Sequence, residues 1–99
     1  MTQAVDVQCT GDAHRGWTCF ATIRTARGDV SEHQVRVASA DLERLAPGAT
    51  DPTDLVIRSI AFLLEREPPS SILRAFDLVT IARFYPEYLT TIRATTRAT

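Results

Sequence analysis

Residues 55–78, LVIRSIAFLLEREPPSSILRAFDL, contain the longest helical pattern of the chain, and two prolines interrupt it. Asp51 is suited to cap this helix and Pro52 to occupy its first position, so we predict that the helix begins there. Pro68 and Pro69 are expected to end it, because proline lacks an N–H group and disfavours a helical conformation in the residue before it. We expect most of the chain to cover the apolar face of this helix.

The apolar side chains of this helix form one broad stripe. At about 100° per residue they fill an arc of roughly 160°, which is typical of a core-facing helix. The members of the stripe are Val56, Ile57, Ile60, Ala61, Leu63 and Leu64. Leu55 and Phe62 lie outside this arc, on the far side of the helix. Two interpretations of this pair stay open: the C-terminal segment covers it, or it forms an exposed stripe that contacts a partner.

The composition is typical of a single globular domain. The chain has 99 residues, of which 44% are hydrophobic and 23% charged, and its formal net charge is −1. This balance gives no global attraction to nucleic acid or to an anionic membrane. No apolar run approaches the length of a membrane span and no charged-then-apolar leader opens the chain, so we expect a cytoplasmic protein. We place the domain at residues 1–92 and a frayed, Thr-rich tail at residues 93–99.

Cys9 and Cys19 are the only cysteines of the chain. Their spacing resembles no zinc-binding motif, and two ligands alone cannot close a tetrahedral zinc site. Because the expected compartment is reducing, we predict two half-buried thiols, with a disulfide as the alternative.

Three segments that alternate apolar and polar side chains precede the main helix. Residues 4–9, 17–25 and 30–38 show this alternation, which is typical of half-buried strands. Shorter helical patterns are found at residues 40–46, 72–76 and 78–85. The order of strands first and helices after predicts an α+β fold, in which a three-stranded antiparallel sheet packs on C-terminal helices.

The turn between the second and third strands is predicted at residues 27–29, with Gly28 at a positive φ. The register that follows from this turn pairs Ala21 with Val35 and places the apolar faces of both strands on the same side of the sheet. Phe20 lies on the opposite face, so we expect that face not to be wholly exposed.

The sequence contains no recognisable reactive constellation. It has no lysine for a phosphate-binding loop, no GxGxxG after a strand and no GxSxG turn. His33 is the best single candidate for chemistry, but a mid-strand histidine on an apolar face is usually bonded to a backbone carbonyl. Glu65 and Glu67 diverge by about 160° around the helix, so they cannot act on one substrate. We therefore predict no enzyme, no catalytic residue, no cofactor and no metal site.

Residues 70–97 carry an alternative hypothesis, a helix–turn–helix that binds nucleic acid or acts as an antitoxin-like regulator. Its phosphate contacts would be Arg74, Arg83, Arg93 and Arg97. With two acidic residues in the same segment, the surplus is two positive charges. This surplus is small beside the six or more phosphate contacts of a typical nucleic-acid-binding protein, so the sequence does not favour nucleic acid.

A homodimer is the predicted assembly, with another protein as the alternative partner. Large apolar side chains that the simple packing scheme leaves outside, and aromatic side chains near the C-terminus, are the candidates for its interface. They are Phe20, Leu55, Phe62, Tyr85 and Tyr88.

A charge network is predicted around the double proline. Partly shielded pairs of arginine and carboxylate are directional, so they can set the angle between two helices. The network would join Glu65, Arg66, Glu67 and Arg74. For Glu67, a solvated position at a frayed helix end and a pairing with Arg74 both stay open. A wider structural cluster of polar side chains adds His33, Asp77 and Arg83.

Four motifs of the chain recur together in a known set of proteins. They are HQVRV at 33–37, FLLEREP at 62–68, SILRAFDL at 71–78 and IARFYPEY at 81–88. Through them, residues 28–89 resemble a set of short bacterial proteins, mostly from actinobacteria. The resemblance implies membership of this set and no particular activity. It also implies that the shared glutamate and arginine side chains are structural, since such pairs readily fix how one helix end meets the next segment.

Overall fold

The computed structural model describes the backbone of residues 4–97 and the side chains through Arg93. The strands are β1 (Ala4–Asp12), β2 (Gly16–Arg24), β3 (Val30–Val37) and β4 (Ala75–Asp77). The helices are α1 (Ser39–Leu45), α2 (Thr53–Leu64), α3 (Ile81–Phe84) and α4 (Tyr88–Arg97), with short 3-10 turns at Pro69–Ser71 and Leu78–Thr80. The α+β class is confirmed. None of the helices described is long and apolar enough to cross a membrane.

The sheet is mixed and has the strand order β1-β2-β3-β4. The first three strands are antiparallel neighbours, as the sequence predicts. The fourth strand runs parallel to β3 and pairs Phe76 with Val35. The prediction of a three-stranded, purely antiparallel sheet therefore missed one short strand at the edge next to β3.

The helix predicted at residues 72–76 is wrong, because residues 72–74 are not helical and β4 begins at Ala75. The backbone carbonyl groups of this segment bond to β3 instead of to a helical turn. The N–H of Gln34 donates to the carbonyl of Arg74 at 2.7 Å. The ring of His33 donates from Nδ1 to the carbonyl of Leu73, also at 2.7 Å. Because the carbonyls of Leu73 and Arg74 accept these two hydrogen bonds from β3, this segment stays extended.

The predicted register of β2 and β3 is wrong by two residues, although the faces are right. Ala21 lies opposite His33, and Val35 lies opposite Cys19. The connecting loop spans residues 25–29, and the N–H of its first residue donates to the carbonyl of its last at 2.9 Å. The two extra loop residues come from the end of β2, while β3 still begins at Val30, and a shift of two keeps every side chain on its own face. The prediction of a positive φ at Gly28 is confirmed, at +96°.

Helix α2 begins at Thr53 with Pro52 as its N-cap, so the predicted start, with Asp51 as the cap, is early by one residue. The carboxylate of Asp51, just outside the helix, accepts a hydrogen bond from the backbone N–H of Thr53 at 2.9 Å and so satisfies one donor of the first turn. Hydrogen bonds from the side chain and then the backbone of Thr53 hold the pKa of Asp51 below its ordinary value. The helix ends at Leu64, and a turn leads from there to the two prolines.

Helix α2 is covered on more than one side, because it packs against β1, β2 and α4. Leu55 and Phe62 are both buried. Of the two interpretations of this pair, the exposed stripe is therefore wrong, and it is the C-terminal segment that contacts Phe62. Ala61, which was assigned to the apolar stripe, is exposed. The buried surface of α2 is thus wider than the predicted arc and rotated away from Ala61.

The C-terminal helix is longer than the sequence suggested. The sequence predicts a frayed tail from residue 93, whereas α4 runs from Tyr88 to Arg97. The helical backbone therefore continues into the predicted tail of residues 93–99. Residues 98 and 99 of that tail, like residues 1–3, lie outside the part of the chain that the structure describes.

Cys9 and Cys19 lie directly opposite each other in β1 and β2 and form a disulfide. The prediction of two reduced thiols is therefore wrong, and the alternative holds. That prediction was based on the expected compartment and not on the positions of the two cysteines in the sheet. Directly opposed residues of neighbouring strands have their Cβ atoms close enough for a disulfide. The bond fastens the outer strand β1 to β2.

Removing this disulfide should destabilise the fold. A bond that closes a loop of this size restricts the unfolded chain, so we expect the Cys9→Ala, Cys19→Ala double variant to lose about 2–3 kcal/mol of unfolding free energy. Urea denaturation followed by circular dichroism measures the loss. A reducing agent should lower the stability of the native protein by a similar amount and leave the double variant unchanged. Equal stability with and without reductant would show that the bond contributes nothing.

Candidate functional site

An apolar groove of about 220 Å³ opens between the segment around β4 and helix α3, and we call it the groove. Its lining combines large apolar side chains with few polar ones. The lining residues are Leu63, Glu67, Ser71, Ile72, Leu73, Phe76, Thr80, Ile81, Phe84 and Tyr85. Leu73 is 51% exposed and Phe84 is 64% exposed. Two large apolar side chains left in water beside a concave apolar surface are typical of an interaction site.

The groove owes its shape to the way the chain leaves α2. Pro68 and Pro69 keep the helix from continuing, and a 3-10 turn follows. The carbonyl of Leu73 is then held against β3 by His33. Ile72 is buried while its neighbour Leu73 is exposed, as in any extended segment with one side toward the core. The fixed backbone therefore presents the Leu73 side chain outward.

One lining side chain of the groove is charged, that of Glu67. The hydroxyl of Tyr85 donates to Glu67 Oε2 at 2.5 Å. This hydrogen bond, with some burial, raises the pKa of the Tyr85 phenol above its ordinary value. The sequence left two interpretations of Glu67 open, a solvated helix end and a pairing with Arg74. The structure shows a third arrangement, in which the carboxylate is half-buried and bonded to a tyrosine.

Arg66 is the centre of the polar contacts near the double proline. Its guanidinium lies 3.6 Å from the centroid of the Phe62 ring and donates to the carbonyl of Phe62 at 2.9 Å. Its contacts with the carboxylates of Glu65 and Glu87 are both 3.4 Å long. Ion pairs of that length with exposed carboxylates contribute little, so the stacking on Phe62 is the stronger interaction.

The predicted charge network is formed in part. Arg66 contacts Glu65, but the structure adds Glu87 in place of Arg74. The side chains of Arg74, Asp77 and Arg83 are exposed, and none of them makes a hydrogen bond or ion pair with another residue that the structure describes. Arg74 lies in the extended segment before β4, where its backbone carbonyl bonds to β3 and its side chain is exposed.

A buried polar chain that the sequence analysis missed connects α4 to α2. The hydroxyl of Tyr88 donates to Ser59 Oγ at 2.6 Å, and Ser59 donates to the carbonyl of Leu55 at 2.8 Å. Ser59 and Tyr88 are both fully buried. Burial raises the pKa of Tyr88 to about 12, and the hydrogen bond with Ser59 offsets part of this effect. The sequence does contain one indication that Ser59 is buried, because Ser59 lies on the same helix face as Leu55 and Phe62.

The five candidate interface residues differ in exposure. Leu55, Phe62 and Tyr88 are buried within the chain, so a partner cannot reach them in this conformation. Tyr85 is half-buried and lines the groove. Phe20 is 52% exposed on the open face of the sheet.

His33 has a structural environment. The ring is buried, Nδ1 donates to the Leu73 carbonyl, and Nε2 therefore accepts from the hydroxyl of Ser31 at 2.9 Å. With both nitrogens engaged, neither is available to a substrate. Within the described residues, no group of three or more His, Cys, Asp or Glu side chains is placed to hold a metal ion.

Comparison of the chain with protein-family models, with curated proteins and with solved structures found no match. The resemblance of residues 28–89 to short actinobacterial proteins therefore stays a prediction.

The buried phenol of Tyr88 should make the protein sensitive to alkali. Its pKa in the folded state, about 12, lies above the ordinary value of 10.0, so folding favours the protonated form. This contribution to stability is fully present below pH 10 and is lost as the pH rises toward 12. We expect the unfolding free energy to fall by about 2 kcal/mol over that interval because of this group. Urea denaturation at a series of pH values measures it, and Tyr88→Phe should have the shallower decline. Parallel declines would contradict the assignment.

The two arginines near the double proline should differ in their effect on stability. Arg66→Ala removes the stacking on Phe62 and the hydrogen bond to its carbonyl, so we expect a loss of about 1 kcal/mol. Arg74→Ala, at an exposed side chain without a described partner, should change stability by less than about 0.5 kcal/mol. Thermal denaturation of both variants measures the difference. Equal losses would mean that Arg74 has a structural role that its exposed position does not suggest.

Proposed function

We propose that the chain is a small, non-catalytic protein-interaction and assembly module. It binds a partner polypeptide through the groove and also associates with a second copy of itself. The observation that carries this proposal is the exposure of Leu73 and Phe84 on the two sides of a concave apolar surface. Burying large apolar side chains of this kind is the main source of binding energy at protein interfaces.

The chemistry of the groove suggests what its partner presents. The walls are apolar and aromatic, which suits one large apolar side chain of the partner. Glu67 brings a carboxylate to the same lining, so a basic side chain beside that apolar anchor would be complementary. We therefore propose an extended segment that carries a large apolar residue next to Arg or Lys.

The groove is supported by structure that does not need a ligand. Ile72 and Ile81, from its two sides, are buried in the core. His33 fixes the backbone at Leu73, and Tyr85 is fixed by its hydrogen bond to Glu67. A surface that is already ordered loses less conformational entropy on binding than a flexible one does.

The hypothesis of a nucleic-acid-binding helix–turn–helix receives no support from the contacts described. Its first helix was expected at residues 72–76, where the chain is extended and forms β4. Arg74 and Arg83 are exposed, but Arg74 lies in the extended segment before β4 and only Arg83 lies on a helix, the four-residue α3. We therefore keep the protein-interaction module as the proposed function.

A selection from a displayed peptide library tests the binding of a partner. The expected result is enrichment of peptides that carry a large apolar residue beside Arg or Lys. Phe84→Ser should weaken the binding of a selected peptide at least about tenfold, because one wall of the groove is lost. Glu67→Gln keeps an acceptor for the Tyr85 hydroxyl and removes the charge, so it should weaken the binding of peptides that carry Arg or Lys and leave the binding of neutral peptides unchanged.

Phe20→Ser provides the matched control, since Phe20 is an exposed phenylalanine on the open face of the sheet. This variant should bind the selected peptides as the native protein does. Failure to enrich any such peptide, or equal binding to Phe84→Ser, would contradict the proposed role of the groove.

A further inference from the structure

The two edges of the sheet are not equally protected. Strand β4 is only three residues long, whereas β1 has nine. Strand β1 pairs with β2 residue by residue from Ala4 to Asp12 without a bulge. It contains no proline, lysine or arginine. Natural edge strands usually carry one of these features or are very short, because an unprotected edge is a template for another strand.

The unpaired backbone groups of β1 can be assigned to particular residues. The Cα atoms of Cys9 and Cys19 are 3.9 Å apart. A spacing this short belongs to the pairs of an antiparallel ladder that do not exchange hydrogen bonds. The N–H and C=O of Cys9, and by alternation those of Val5 and Val7, therefore point away from β2 toward the free edge. The side chains of these three residues are only half-buried, so their cover is incomplete.

We propose that a second copy of the chain adds its β1 antiparallel to this edge, about a two-fold axis at Val7. In this register Val5 of each copy faces Cys9 of the other, and the row of apolar side chains continues through the axis. On the open face, Asp6 of each copy faces Gln8 of the other and accepts a hydrogen bond from its amide. The inference rests on the self-association proposed above and names the surface that mediates it.

The composition of β1 supports a second copy as the occupant. A two-fold interface must be self-complementary, and a strand paired with itself meets this condition only if like charges do not oppose each other. An axis at Asp6 would place two carboxylates face to face, whereas an axis at Val7 opposes each Asp6 with a neutral amide. Val7 is also the midpoint of residues 4–10, which precede Gly11 and its φ of +135°.

The disulfide prepares this edge for pairing. It joins Cys9 to a residue of β2 that is completely buried, so the outer strand is fastened to the core of its own chain. A strand that is already held in place loses little conformational freedom when a second strand joins it.

Light scattering over a dilution series, on protein with its disulfide intact, tests the proposal. The native chain should show twice the monomer mass of 11.0 kDa at micromolar concentration. Gln8→Glu places a carboxylate opposite Asp6 twice in each dimer, so it should raise the dissociation constant about tenfold. Gln34→Glu is the matched control. Gln8 and Gln34 flank Phe20 from its two sides, but Gln34 lies inside the sheet, and its variant should remain dimeric.

A second variant tests the register. Asp6→Lys combined with Gln8→Glu places opposite charges face to face in the two-fold arrangement at Val7, so it should restore the native dissociation constant or lower it. A Gln8→Glu protein as dimeric as the native one would overturn the pairing through β1, and a double variant that stays dissociated would overturn the register. A native mass near 11.0 kDa at every concentration would overturn self-association itself. None of these results bears on whether peptides bind in the groove, because that proposal is tested separately with the peptide library.

Discussion

The hydroxyl of Tyr88 needs a hydrogen-bond partner inside the protein, and the helical layer depends on the partner that it finds. A phenol taken out of water without such a partner is costly, and Ser59 supplies the acceptor from the middle of α2. Because Tyr88 is the first residue of α4, this bond fixes where α4 meets α2. The rings of Phe62 and Tyr88 then meet edge to face, with centroids 5.2 Å apart.

The groove follows from the same constraint. The chain must run from β4, at the edge of the sheet, to the start of α4 beside α2, with one 3-10 turn and a four-residue helix between them. Helix α3 is too short to close against the segment before β4, which His33 holds against β3. A gap therefore remains between two fixed walls, and Phe84 at the end of α3 projects into water beside it.

Local features of the sequence predicted the parts of the fold that depend on local physics. The start of α2, to within one residue, and the faces of the three long strands follow from hydrogen bonding and side-chain alternation within a few residues. The position of β4 depends on a contact between Leu73 and His33, forty residues away in the chain, and no local pattern reveals it. The register of β2 and β3 depends on how many residues the turn uses, which the composition of the loop leaves open. The disulfide follows once β1 and β2 are paired, but its prediction was set by an assumed compartment.

The two exposed side chains of the groove, Leu73 and Phe84, were missed for a related reason. A periodic pattern assigns each apolar side chain to the face of one element, so it marked Leu55 and Phe62 as surplus because they lie off the main stripe. A helix packed on two sides has no surplus face: both side chains are buried, and Tyr85 and Tyr88 pack against Phe62. Leu73 and Phe84 lie in elements too short to show a period, so nothing marked them in advance. The remaining exposed apolar surface therefore lies along the short elements β4 and α3 and the connections beside them. The unpaired backbone groups lie at the opposite edge of the sheet, along β1. The two surfaces differ in chemistry, side chains in one and main-chain groups in the other, and they do not overlap, so the proposed binding of a partner and the proposed pairing of two copies do not exclude each other.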